Sequence, residues 1–158
     1  LDIVSPREIY DSIDWPIVVL LGAMIPIGAA FQDSGTAGLI AQTLVGLVAG
    51  FGPAVVLGLV LVLTMTLSDV INNAATAVVM GPVALSVATK LGVAADPFLM
   101  AVAVGASCAF LTPIGHQNNM LVMGPGGYHF GDYWRLGLPL EVLIVAVALP
   151  MILIVWPL

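Results

Sequence analysis

Charged side chains are scarce in this chain. Asp, Glu, Lys and Arg make up 8% of its 158 residues, where a soluble domain carries about 25%. Only Arg7, Lys90 and Arg135 are basic. Three dispersed cations build no basic patch, which excludes nucleic acid as a partner. The single cysteine, Cys108, excludes an internal disulfide and any cysteine-based metal cluster. No basic stretch precedes a short apolar core, so no signal peptide is read. The chain begins at Leu1 and is expected to be a fragment, its partner helices lying upstream.

What abounds is apolar. Hydrophobic residues reach 61% and the mean hydropathy is +1.16. No soluble fold of this length buries so much apolar surface, so lipid must be the solvent around most of it. The fold class expected is all-α and integral to a membrane. Most of the acids, among them Asp14, Asp33, Asp96 and Asp132, fall at helix ends and loops, so the net charge of −6 says little about partners.

The spans follow from the punctuation. Asp14-Trp15-Pro16 reads as a capped helix start, opening a span over 14–31 with a kink at Pro26. The stretch 36–50 is short for a crossing and is expected to lie flat in the interface or packed against the bundle. Its Ile40, Leu44, Leu47, Val48 and Phe51 share one face. Two apolar arms over 53–89 flank the polar run Ser68 to Asn73 and predict a hairpin that re-enters without crossing. A second start at Asp96-Pro97 opens a helix over 96–124, broken at Leu111 to Asn119. The last span covers 132–156, with Tyr133 and Trp134 at one interface and Trp156 at the other.

The two breaks carry the chemistry. Non-helical backbone is tolerated at membrane depth only where protein buries it or a cavity accepts it. Polar residues there are costly and point to function. The first break offers Ser68, Asp69, Asn72, Asn73 and Thr76; the second offers Thr112, Gly115, His116, Gln117, Asn118 and Asn119. Hydroxyl, amide and carbonyl oxygens are hard ligands suited to Na⁺, whereas amide N–H groups donate to an oxyanion. Asp69, Asn73, Thr112 and Gly115 are therefore the expected cation site, with Na⁺ or H⁺ as coupling ion and no other cofactor. Asn72, Asn73, Gln117, Asn118 and Asn119 are the expected anion site. Asp69 reads as a cation ligand or a proton carrier, His116 as a residue that fixes its loop, and Cys108 as packing. Glu141 is expected near the membrane face, paired with Arg135 or hydrated.

The run Ser68-Asp69-Val70-Ile71-Asn72-Asn73-Ala74-Ala75-Thr76-Ala77, followed by Met80-Gly81-Pro82, resembles the hairpin tip of the divalent anion/sodium symporters. These are sulfate and di- or tricarboxylate carriers of the ion transporter superfamily. Thr112-Pro113-Ile114-Gly115-His116-Gln117-Asn118-Asn119 is similar to the unwound loop of that family's broken helix. The resemblance implies one half of an inverted-repeat transporter, the other half being absent. The family's Ser-Asn-Thr falls on Asn72, Asn73 and Ala74, so the middle asparagine is kept and the threonine hydroxyl is lost. Expected partners are the bilayer, a small anion, the missing N-terminal half and a second copy in a homodimer; the expected location is the plasma (inner) membrane. A channel or structural membrane subunit is the rival reading. An intramembrane enzyme is disfavoured, because no acid pair or metal-ligand set is visible in the sequence.

Overall fold

The computed structural model describes residues 33–47 and 50–158, with isolated positions 19, 22, 23, 26, 29 and 30 before them; of the side chain of Gln117 nothing is described. The expected span over 14–31 and Arg7 therefore lie outside the continuously described residues. The chain is helical throughout, with no strand among the described residues: α1 (Thr36–Leu47), α2 (Pro53–Val70), α3 (Asn73–Leu91), α4 (Asp96–Ala106), α5 (Gln117–Met123), a 3-10 turn (Phe130–Asp132) and α6 (Tyr133–Val155). Among the described residues three segments are long and apolar enough to cross a membrane: α2, α3, and the 3-10 turn with α6. The protein is an integral membrane protein.

Local chemistry sets the ends. Pro53 opens α2 in its first turn, where a missing N–H is harmless. The Asn72 carboxamide accepts from the Ala75 N–H at 2.8 Å and caps α3. Gly92, at φ 67°, closes α3 in the left-handed conformation that glycine adopts without penalty. Between α2 and α3 only Ile71 and Asn72 are extended.

Helices α2 and α4 form the centre. Val56, Leu57, Val60, Leu61, Thr64 and Ser68 make one buried stripe along α2 at the spacing of a single helical face. Gly105 of α4 admits the close approach: a Cβ there would stand 2.9 Å from Thr64 Cβ and 3.0 Å from the Leu61 carbonyl. Small residues at such crossings let backbones come together where no hydrophobic effect separates protein from lipid. Helix α3 packs between α4 and α1, and α6 lies across α2 and α4. The outward side of α6 is open, with Leu136, Val142, Leu143 and Ile154 exposed.

Helix α1 packs against α3. Its buried positions are Ala37, Ala41 and Leu44, while Leu47 is 73% exposed. The face chosen for contact with α3 is the one with the small side chains, not the bulkiest one, for the same close-packing reason.

The lengths of α2 and α3, 18 and 19 residues, correspond to about 27 Å each, close to the thickness of a hydrocarbon core. Helix α4, at 11 residues, reaches only about 16 Å and cannot cross. Cysteines introduced at Phe51 and Lys90, which flank the hairpin, are expected to react with an impermeant thiol reagent from the same side of the membrane. Labelling from opposite sides would refute the hairpin.

Candidate functional site

Where a helix stops inside a membrane, its last carbonyls lose their partners. Here each broken helix is finished by side chains of the other. The end of α4 presents the Ala106 carbonyl. Ser68 Oγ, from α2, donates to it at 2.7 Å. The Asn73 carboxamide, at the start of α3, lies between the Ala106 and Gly115 carbonyls, both acceptors, so its nitrogen must face them. Asn73 Nδ2 thus shares its two hydrogens among Ala106 O at 3.0 Å, Gly115 O at 2.9 Å and Ser68 Oγ at 2.9 Å.

The reciprocal ties come from the loop between α4 and α5. Thr112 Oγ1 donates to the Asp69 carbonyl at 2.5 Å, satisfying an orphan of the last turn of α2. The same hydroxyl accepts from the Ile114 and Gly115 N–H groups at 3.2 and 3.4 Å. The Leu111 N–H donates to Asp69 Oδ1 at 2.9 Å. Gly115 is required at this junction. A Cβ would meet Ala109 Cβ and the Ser68 carbonyl, each at 2.5 Å.

Asn119, on α5, closes the loop upon itself. Its Nδ2 donates to Ala109 O at 3.1 Å and Thr112 O at 3.3 Å. Its carbonyl accepts from Tyr133 Oη at 2.6 Å, which fixes the start of α6. His116 caps α5, its Nδ1 accepting from the Asn118 N–H at 3.2 Å.

The four residues expected to hold a cation therefore do converge. Asp69, Asn73, Thr112 and Gly115 are joined through direct hydrogen bonds. Several of their polar atoms are engaged by one another, so the group acts as a clasp between hairpin and loop. Of the residues expected to face an anion, Asn73 and Asn119 both donate to backbone carbonyls of the 106–115 stretch. Asn72 and Asn118 are exposed. Gln117 opens α5. A cavity of about 250 Å³ lies nearby, lined by Phe110, Asn119, Tyr128, Asp132 and Tyr133 among others. It includes neither Asn72 nor Asn118, and its one carboxylate, Asp132, disfavours an anion.

Glu141 overturns its expectation. It is 9% exposed and meets the second break, not a membrane face. Its Oε1 accepts from the Phe110 N–H at 3.4 Å, next to the Leu111 N–H that Asp69 Oδ1 accepts, so the two carboxyl groups lie close together. Among the described residues the one ion pair is His129 with Asp132, so Arg135 does not neutralise it. Gly137 makes the approach possible, because a Cβ there would run into the Phe110 carbonyl group. One turn later, Glu141 is carried to the loop.

Apolar helices interrupted at two polar breaks that finish each other define the class: a helical integral membrane protein with a polar junction inside its bundle. The family model described as citrate transporter matches residues 1–158, and the chain belongs to that family. It is 40% identical over 154 residues to the uncharacterized transporter YfbS of Escherichia coli strain K12, covering 98% of this chain and 25% of that protein. To the probable sodium/sulfate cotransporter 3 of Chlamydomonas reinhardtii it is 27% identical over 140 residues, 87% of this chain and 15% of the relative. To the sodium-dependent dicarboxylate transporter SdcS of Staphylococcus saprophyticus it is 24% identical over 119 residues, 75% of this chain and 23% of the relative. The chain thus spans a quarter or less of the length of these relatives.

Proposed function

We propose that this chain is the part of a secondary transporter that builds its substrate and coupling-ion site, and that the whole protein carries a small anion, sulfate or a di- or tricarboxylate, driven by Na⁺ or H⁺. The observation that carries this reading is the direct hydrogen bonding of the two polar breaks. Helix α4 is too short to cross, so its end at Ala106 lies near the middle of the bilayer. Ser68 and Asn73 reach that end, which brings the hairpin tip to the same depth. The hairpin then re-enters, its extra length accommodated by tilt.

An anion at this depth needs positive potential. No Lys or Arg lies in the junction among the described residues. The N-terminus of α3 supplies a dipole end, worth roughly half an elementary charge, and a bound cation supplies the rest. The exposed carboxamides of Asn72 and Asn118 stand at the rim as donors. The names of the relatives support sulfate and dicarboxylates as the substrate class, and sodium as one of the two coupling ions. The plasma membrane is the proposed location and a homodimer the proposed assembly.

The test is uptake by the full-length protein in proteoliposomes. Labelled sulfate, succinate and citrate would be offered under an inward Na⁺ gradient, an inward H⁺ gradient, or neither. Gradient-dependent accumulation of at least one is expected. Passive, saturation-free flux would make it a channel; no flux of any of the three would reject the substrate class.

A further inference from the structure

Two acids sit deep in the helical bundle, and each has lost water. Asp69 on α2 is 3% exposed and Glu141 on α6 is 9% exposed. Their carboxyl groups lie close together, on the N–H groups of two consecutive residues. Each carboxyl has one oxygen met by a backbone N–H from adjacent loop residues, Leu111 for Asp69 and Phe110 for Glu141. The other oxygen of Asp69, Oδ2, has no hydrogen-bond partner and is sealed from solvent by this chain itself. No further segment or partner can reach an atom already covered. Two ionised carboxylates this close would repel strongly in so poor a dielectric. Backbone N–H groups ease that repulsion without cancelling a full charge.

Among the described residues the surrounding side chains supply no counter-charge. Cys108, in the loop, adds no positive charge. On α3 and α4 the charged residues Lys90 and Asp96 lie at the ends far from Asn73 and Ala106. His116 is turned to the Asn118 N–H. Asp132 is held by His129, and Arg135 stands six residues before Glu141 on α6 with no ion pair.

We propose that Asp69 and Glu141 together bind one monovalent cation, a proton or Na⁺, between their carboxyl groups. A proton taken from water turns one carboxylate into a donor and leaves the other as its acceptor, which supplies the missing partner. A sodium ion would draw on the same oxygens at the same place. The pair joins the hairpin tip, the broken-helix loop and the last span, so the cation acts as a pin through all three. That this charge drives transport rests on the transporter reading above; that it binds here does not.

The experiment uses purified full-length protein in nanodiscs and two readouts that need no transport. Infrared difference spectra over a pH titration report a buried protonated carboxyl. Radioactive Na⁺ binding by scintillation proximity reports the metal arm. One of the two signals is expected in the parent and lost in Asp69→Asn and in Glu141→Gln. Glu141→Asp, which keeps the charge and shortens the reach, is expected to retain the signal with affinity at least about tenfold weaker; it decides the matter if the amide variants do not fold. Absence of both signals in the parent, or an undiminished signal in Glu141→Gln or Glu141→Asp, overturns the proposal. Binding intact without any anion uptake would instead sink the transporter reading and leave the site standing.

Discussion

If the full-length protein carries anions as proposed, Gly115→Ala is expected to cut that uptake on the order of a hundredfold, the penalty that roughly 1 Å of misplacement imposes at a site. The added methyl has nowhere to go. It would stand 2.5 Å from Ala109 Cβ, 2.5 Å from the Ser68 carbonyl and 3.1 Å from Asp69 Cα. None of these is the far end of a flexible side chain. Backbone must move, and the backbone in question is the hairpin tip. The loop is then displaced from α2, and the Thr112–Asp69 and Asn73–Gly115 bonds lengthen together. Overpacking of this kind typically destabilises by about 1–3 kcal/mol, so thermal unfolding in detergent should also fall. Gly92→Ala makes a useful comparison: space around it is open, but its φ of 67° strains any other residue, so stability should drop while the junction stays closed. Parental uptake and melting in Gly115→Ala would mean that the tip and loop do not meet as described.

Asn73→Ala is expected to be nearly as severe, by the opposite route. Nothing is overfilled; instead the two hydrogens of Nδ2, shared among Ala106 O, Gly115 O and Ser68 Oγ, disappear at once. Ser68 still serves Ala106 O. Gly115 is buried, so its carbonyl is left bare. A stranded polar group of that kind costs about 1–3 kcal/mol, more than the net value of the bond itself. The clasp loosens on the side of α3, next to the Asp69 carbonyl held by Thr112. The measurable consequence is a higher half-saturating concentration of the coupling cation in proteoliposome uptake, together with a lower melting temperature. An unchanged cation dependence would remove Asn73 from any part in the cation site.

Why these two positions were legible in sequence, and Glu141 was not, has a physical answer. Asp69, Asn73, Thr112 and Gly115 stand in polar runs that interrupt apolar helices, and such runs are expensive in lipid. Their convergence follows from the need of each broken helix end for partners. Glu141 interrupts nothing. It is a lone acid in the apolar run of α6, six residues after Arg135, and that spacing invites an interfacial reading. The signal that could have found it is Gly137, one turn earlier, where a missing side chain marks a close approach. In helix α1 it is the small Ala37 and Ala41 that turn inward against another helix, a choice that apolar patterning does not mark. The partners of Asn119 were equally invisible, since both are backbone carbonyls.

The closeness of Asp69 and Glu141 also has a history within each newly made molecule. The two residues are 72 positions apart (141 − 69). At roughly 5–20 residues per second, the ribosome delivers the second about 4–14 seconds after the first. During that interval the hairpin has entered the membrane with an acid that its final neighbour cannot yet cover. Insertion of α2 and α3 must therefore tolerate Asp69 in a provisional state, protonated or held near the insertion machinery. Chains that end before residue 141 never leave that state, and the cell's quality control would meet them as unfinished membrane protein.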